Sequence, residues 1–368
     1  VRRPTIIISG GGTGGHLYPA LAVGTKLIER RPDIRLIYVG SRRSVEKRIM
    51  GGRGIRFLAL PVEGLKGRGL GALRSLALLP WALVLSLGLM LRTRPALVIG
   101  VGGYSSGPVV LAAWMARVPS LILEQNARPG FTNRLLRPFA RKAVAAFPGT
   151  LEAFGGKGLV LGNPVRDEFY GIGPKPASEI FTLLVMGGSQ GSHVLNAAMV
   201  GTLPLLAADK GRLEIYHQTG RAEYESVRQA YAREGFGRAV VAPFFDRMAE
   251  VLSRADLCLC RAGATTIAEL IAARRAAILV PFARAAENHQ LLNARELEKL
   301  GAAEVVTEAE LGPAVLAARL RSFLEDRGRA GRLAERLEPL RTEGAADRIV
   351  DLVLGMMKGG HGARSGSW

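Results

Sequence analysis

Two segments of this chain share one plan. Residues 6–16, IIISGGGTGGH, run an apolar stretch into clustered glycines and then a histidine, and residues 181–191, FTLLVMGGSQG, repeat the arrangement. Each reads as a buried strand, a tight turn and the start of a helix. The first amides of a helix have no intrahelical partner, and the helix dipole makes that end favourable for negative charge. Each turn therefore has the size and polarity for a phosphate. One such turn says little. Two of them, each heading a series of short apolar runs that alternate with longer helical patterns, confine the chain to an α/β fold of two Rossmann-like parallel-sheet domains facing a cleft.

A length of 368 residues suits two domains of this kind. Strands are expected near 5–9, 35–39, 56–60, 96–100, 120–123, 142–146 and 158–161, then near 181–186, 213–217, 238–242, 256–260, 276–280 and 302–306. Helices fall between them, for example 17–30 and 106–117. The stretch 162–180 is rich in Gly, Pro and charge and reads as a linker. The division expected is 1–163 for an N-terminal acceptor and membrane-associating domain and 164–340 for a C-terminal nucleotide-binding domain. A helix over 341–357 is expected to pack back on the first domain, and the Gly-rich 358–368 to form a flexible tail.

Lys and Arg number 50 against 31 Asp and Glu, a formal net charge of +19. Such an excess fits nucleic acid, anionic lipid or a phosphorylated substrate, or simply a solvated arginine-rich surface. Aromatics are only 6% of residues, with no RNA-stacking motif and no basic arm, which argues against nucleic acid. Cys258 and Cys260 alternate in DLCLC as buried strand residues and make neither a metal site nor a disulfide framework. The N-terminus enters an apolar strand almost at once, so no signal peptide is expected and the chain reads as cytoplasmic. Residues 75–91, SLALLPWALVLSLGLML, carry no charge. They are short of the ~20 residues a spanning helix needs and contain Pro80, which favours a partly buried helix over a transmembrane span.

The first turn contains Gly10, Gly12 and Gly15 in a G-x-G-x-x-G pattern. A dinucleotide-binding domain would place an acid after the second strand, where this chain has Ser41, Arg42 and Arg43. The arginines suit an NADP 2′-phosphate, which keeps an NADP-binding protein as an alternative. His16, at a helix start, would be held neutral by the positive helix end, as a general base requires; the plainer reading is a helix cap. Further glycine turns follow strands at 100–108, GVGGYSSGP, and 260–270, CRAGATTIAEL. In the latter, Thr265 and Thr266 offer hydroxyls and amides to a phosphate, and Glu269 offers a carboxylate to ribose hydroxyls. Gln290 and Asn293 are three apart on one helix, and amides both donate to and accept from sugar hydroxyls. No D-x-D and no metal-ligand spacing occurs, so no metal and no cofactor is expected.

Together these motifs resemble one family. GGTGGHLYPALAV, GGYSSGP, LEQNARPGFTNR, GNPVR, GGSQGSHVLN, RAGATTIAEL and NHQLLNA stand in the order and spacing of the MurG family, the peptidoglycan N-acetylglucosaminyltransferases, over residues 5 to 350. The resemblance implies a GT-B fold and transfer of GlcNAc from UDP-GlcNAc, with inversion, to the C4 hydroxyl of MurNAc in lipid I. It implies action at the cytoplasmic side of the membrane as a peripheral protein on an anionic surface. By motif it implies Thr13, Gly14 and Gly15 beside the donor, Asn126 on the GlcNAc, and Arg166 and Ser189 on the donor side. Phe245 would meet uracil through its backbone. Ala264, Thr265, Thr266, Ile267, Ala268 and Glu269 would wrap diphosphate and ribose, and Gln290 would read the GlcNAc hydroxyls. Tyr104 and Ser105 fall in the loop assigned to the acceptor, and His16 is the candidate general base. A transferase for another nucleotide sugar, or a non-catalytic nucleotide-binding module, would share part of this pattern.

Overall fold

The computed structural model describes residues 3–11, 14–41, 55–62, 71–175, 178–188 and 190–362. The chain divides into two compact units, one of Val1–Val165 with Gly344–Trp368 and one of Arg166–Glu343.

In the first unit, Thr5–Ser9 (β1), Arg35–Gly40 (β2), Arg56–Ala59 (β3), Leu97–Gly100 (β4), Ser120–Glu124 (β5), Lys142–Ala145 (β6) and Gly158–Val160 (β7) form one parallel sheet. Its order is β3-β2-β1-β4-β5-β6-β7. β1 is TIIIS with every residue buried, as a central strand covered on both faces must be. Alternate residues serve opposite cores: Ile6 and Ile8 join Leu17, Leu27, Ile349 and Val353, while Ile7 joins Ile37, Ala82, Met90 and Val109. The first layer is the helix Gly14–Arg30 (α1) and the last helix of the chain. The second contains Gly71–Thr93 (α2) and Ser106–Met115 (α3), followed by the short Phe131–Leu136 (α4).

α2 continues through Pro80 and is apolar on both sides. Ala82, Ser86 and Met90 face the core, while Trp81, Val84, Leu85 and Leu91 are exposed. A soluble helix ordinarily turns a polar face outward. No helix among the described residues is long and apolar enough to cross a membrane.

The second unit restarts with Phe181–Met186 (β8), Leu213–Gln218 (β9), Val240–Ala242 (β10), Leu257–Cys260 (β11), Ala276–Leu279 (β12) and Glu304–Val305 (β13). These make a parallel sheet in the order β10-β9-β8-β11-β12-β13. Its helices are His193–Thr202 (α5), Tyr224–Arg233 (α6), Met248–Arg254 (α7), Ala264–Ala273 (α8), His289–Lys299 (α9), Pro313–Glu325 (α10) and Gly328–Glu335 (α11). Phe181, Leu183 and Val185 anchor a core with Leu195, Met199, Leu320 and Phe323.

The final helix, Ala345–Gly362 (α12), lies against α1. Ile349, Val350 and Val353 are fully buried there, and Arg30 pairs with Asp351 at 2.8 Å. The helix continues through Gly362, so residues 358–362, expected in a flexible tail, prolong it instead. The physical reason is packing: Met356 and Met357 still reach the core of the first unit and carry the helix past the sequence's glycines.

Candidate active site

In both sheets the strand order reverses beside the first strand of the unit, between β1 and β4 and between β8 and β11. Ligands of open α/β sheets bind at the carboxyl ends of the strands at such a point.

In the first unit, the turn after β1 is pressed against the turn after β4. A Cβ on Gly10 would lie 2.0 Å from Val101 Cγ2, and one on Gly103 (φ +78°) would lie 2.1 Å from the Gly11 carbonyl. Neither residue can carry a side chain there. Hydroxyls tie these turns to each other and to β2. Ser9 Oγ donates to the Ser105 carbonyl at 3.0 Å, Ser106 Oγ to the Ser9 carbonyl at 2.6 Å, and Tyr38 Oη to the Gly10 carbonyl at 2.7 Å. α1 begins at Gly14, so His16 sits inside its first turn rather than just before it. The half-buried imidazole lies on the backbone of the second turn, where a Cβ on Gly102 (φ +90°) would be 2.9 Å from both Cδ2 and Nε2. Of the two residues expected at the acceptor, Tyr104 is exposed but Ser105 is only 1% exposed, and its carbonyl is taken by Ser9. The Ser105 side chain lies under the turn, with Oγ buried and without a hydrogen-bond partner among the described residues. Gly15 is half-buried beside His16, and Thr13 lies outside the described residues.

At the end of β5, the buried Glu124 organises the segment that carries Asn126. Its Oε1 accepts from the Asn126 backbone at 2.9 Å and side-chain amide at 3.0 Å, and its Oε2 from Gly130 N at 2.9 Å and Asn133 Nδ2 at 2.8 Å. Burial pushes this carboxyl up, and the four donated hydrogen bonds oppose that shift. Sequence reasoning passed over Glu124; the available signal was an acid closing an otherwise apolar strand.

In the second unit, α8 opens directly after β11. Its N-cap is Gly263, without a side-chain cap and with no acid in the first turn. Thr265 Oγ1 is buried with no hydrogen-bond partner among the described residues. Glu269 is half-buried one turn further on, and its carboxyl is pushed up to about 7, first by burial. The Arg166 guanidinium pulls it down and Glu168 pushes it up. The structure thus brings Arg166, Thr265 and Glu269 to one end of the sheet; Arg166 also pairs with Glu168 at 2.8 Å and covers the Phe169 ring. Of the remaining residues of the motif, Ala264 and Ile267 are buried and Thr266 and Ala268 are half-buried on the same turns.

Ser189 lies outside the described residues, but its neighbours are fixed. Gln218 Nε2 donates to the Gly188 carbonyl at 3.0 Å, while Gln218 Oε1 accepts from Phe245 N at 3.0 Å. The backbone N–H of Phe245 is therefore already engaged. Arg261 donates to Ser192 Oγ at 2.7 Å, pairs with Glu308 at 2.6 Å and lies over the Phe282 ring, tying the turn after β11 to the head of α5. Gln290 Oε1 accepts from Phe282 N at 3.0 Å. Asn293 is fully buried and donates to the Ala262 carbonyl, so it does not share an exposed sugar-reading face with Gln290. Gln218 and Arg261 were missed in the sequence because a lone polar residue at a strand end has no spacing partner. Among the described residues, no group of three or more His, Cys, Asp or Glu could hold a metal ion.

Comparison with known proteins is consistent along the whole chain. Residues 6–145 match the glycosyltransferase family 28 N-terminal domain, and residues 182–349 match the family 28 C-terminal domain. Two curated relatives carry the name UDP-N-acetylglucosamine--N-acetylmuramyl-(pentapeptide) pyrophosphoryl-undecaprenol N-acetylglucosamine transferase. The one from Anaeromyxobacter dehalogenans is 42% identical over 96% of this chain and 93% of its own. The one from Syntrophus aciditrophicus is 42% identical over 96% of this chain and 99% of its own. The crystal structure of Acinetobacter baumannii MurG superposes with a TM-score of 0.80 at 30% identity, covering 96% of this chain and 99% of that one.

Proposed function

Because this chain belongs to glycosyltransferase family 28, we propose that it transfers GlcNAc from UDP-GlcNAc to the C4 hydroxyl of MurNAc in undecaprenyl-diphospho-MurNAc-pentapeptide, with inversion. The observation that carries the reading at the level of the site is the head of α8. An uncapped helix start, an unpartnered buried Thr265 hydroxyl and a carboxylate one turn on, with Arg166 beside it, suit a diphosphate followed by a ribose. Similarity to sugar transferases over both domains argues against the NADP-binding alternative.

In this reading the second unit holds the donor. Glu269 accepts from the ribose hydroxyls, Phe245 meets the base through its carbonyl because its N–H is taken, and Gln290 offers its amide nitrogen to the GlcNAc hydroxyls while its oxygen caps Phe282. The first unit supplies Asn126, held by Glu124, and the base His16. As the acceptor C4 oxygen forms its bond to the anomeric carbon, the bond from that carbon to the UDP oxygen breaks, and the hydroxyl proton passes to the imidazole of His16. The leaving diphosphate carries its charge onto the helix end and the Thr265 hydroxyl.

The acceptor lipid requires a chain that works at a membrane. Exposed Trp81, Val84, Leu85 and Leu91 on α2, with Trp114 and Met115 at the end of α3, supply apolar side chains to a lipid surface, and Arg92 and Arg94 close the helix. Exposed apolar patches of this kind mark interaction sites, and each basic residue adds ~1 kcal/mol near an anionic surface. In sequence Lys66 and Arg68 add basic residues ahead of the apolar run, and both lie outside the described residues. We place the chain as a peripheral protein on the cytoplasmic leaflet.

The test is turnover with a lipid I analogue and radiolabelled UDP-GlcNAc. Formation of the disaccharide lipid supports the reading. Release of UDP only with a different acceptor, or binding of UDP-GlcNAc with no transfer to any acceptor, overturns it in favour of another sugar transferase or a non-catalytic binding module.

A further inference from the structure

Behind the glycine turn of the second unit runs a buried polar chain that touches no expected substrate atom. His217, on β9, is fully buried. Its Nδ1 lies 3.0 Å from the Tyr231 hydroxyl of α6, and its Nε2 lies 3.0 Å from Asn196 Oδ1 of α5. The direction of each bond follows from the last member. Asn196 Nδ2 donates to the Thr219 carbonyl at 2.9 Å and to Glu223 Oε2 at 2.6 Å, which uses both its hydrogens. Oδ1 therefore accepts, so His217 carries its hydrogen on Nε2, and Nδ1 accepts from Tyr231. Burial lowers His217 to about 3, and burial likewise raises Tyr231, so the ring is neutral and held in one tautomer across the working pH range. The other titratable groups on this chain are Glu223 and His193, which pair with each other at its outer end.

The inner end of the chain is a turn. The Thr219 carbonyl that Asn196 holds occupies the space in front of Gly191 (φ +76°), where a Cβ would lie 1.9 Å away. Gly220 (φ +78°) sits equally close under the Gln190 carbonyl, where a Cβ would lie 2.2 Å away. The next residue along β9, Gln218, turns its side chain the other way and holds the Gly188 carbonyl. Residues 217–220 are thus the bed on which the turn at the head of α5 rests.

We propose that His217 is a positioning residue for the donor diphosphate: through Asn196 it fixes the Thr219 carbonyl, and Thr219 and Gly220 set the height of the Gln190–Gly191 turn that receives UDP. This rests on the reading that the second unit binds UDP-GlcNAc at that turn. Losing the Nε2–H leaves Asn196 Oδ1 buried and unpaired, and its amide is then free to rotate away from Thr219.

The experiment is titration calorimetry of the full chain with UDP, with steady-state kinetics and thermal unfolding, on three variants. His217→Gln keeps an N–H near the Nε2 position, His217→Asn reaches only to the depth of Nδ1, and His217→Leu offers neither. The expected result is UDP affinity within about threefold of wild type for Gln and weakened by about tenfold or more for Asn and Leu, a tenfold change being ~1.4 kcal/mol. The KM for UDP-GlcNAc should rise in parallel, with kcat and the acceptor KM near wild type. Asn and Leu variants that are folded well above the assay temperature and bind UDP normally overturn the proposal, as does a Gln variant no better than Asn. Should the Asn and Leu variants fail to fold, Tyr231→Phe decides: it removes the donor to Nδ1 and should raise the KM for UDP-GlcNAc alone, and an unchanged KM overturns the proposal. A wild-type chain that does not bind UDP overturns the donor reading, and the role of His217 with it.

Discussion

Glu269 is where the donor reading meets a titratable group. A carboxyl pushed up to about 7 changes charge near neutral pH. Ribose hydroxyls donate to the ionised form, so UDP affinity should rise as pH increases from 6 to 8, and calorimetry on Glu269→Gln should show that rise abolished. The same shift acts oppositely on folding. The folded chain binds this proton more tightly than the unfolded chain, so the Glu269 contribution to stability falls as pH climbs from the ordinary carboxylate range through about 7. Removing the carboxylate in Glu269→Ala should cost ~1.5–3 kcal/mol of UDP binding, the worth of hydrogen bonds to a charged group; unchanged affinity would detach Glu269 from the nucleotide. His16 is separable from this. Loss of a general base costs ~10²–10⁴ in rate, so His16→Ala should lower kcat by that order with UDP affinity intact. A normal kcat with a raised acceptor KM would make His16 a binding residue.

Elements, rather than residues, set the two surfaces on which the proposed function rests. The turns after β1 and β4 approach so closely that glycine is the only residue that fits at Gly103, where a Cβ would meet a backbone oxygen at 2.1 Å. Backbone cannot move aside as a side-chain tip can, so Gly103→Ala should destabilise the chain by ~2 kcal/mol or more, read as a shift of the denaturant midpoint. α2 sets the other surface. Its inner side satisfies the core with Ala82, Ser86 and Met90, and its outer side leaves Trp81 and Leu91 at 56% and 74% exposure. Burying a large apolar side chain is worth ~1.5–3 kcal/mol. The double variant Trp81→Glu, Leu91→Glu should therefore lose at least about tenfold in binding to vesicles containing anionic lipid, with UDP binding unchanged. Equal vesicle binding by variant and wild type would return α2 to a role in the fold alone.

At the scale of the molecule, the division of labour predicts independence from a divalent cation. The diphosphate is to be met by helix ends, hydroxyls and Arg166, so activity should survive exhaustive EDTA treatment. Full loss on chelation with full recovery on adding Mg²⁺ would mean that a metal takes part. α12 also matters at this scale. It leaves the second unit's sequence at Gly344 and buries Ile349, Val350 and Val353 in the core of the first. The first unit is therefore discontinuous in sequence, and the second is one continuous segment.

Apolar runs and glycine clusters sufficed to mark most strands and the turns that follow them. A short all-apolar run such as Ile6–Ile8, followed by a glycine cluster, suits a doubly covered parallel strand and a turn. That logic is local, and it located the heads of α1, α5 and α8 to within a few residues. It could not say which polar side chain faces what. Asn293 reads as sharing a sugar-facing side with Gln290, yet it lies inside the core, because helix rotation decides direction. Gln218, Arg261 and His217 carry no spacing signal, since their partners are 14 to 69 residues away in sequence. Only the tertiary structure brings those partners within 3 Å or so, and only there does burial make each hydrogen bond costly to leave unmade.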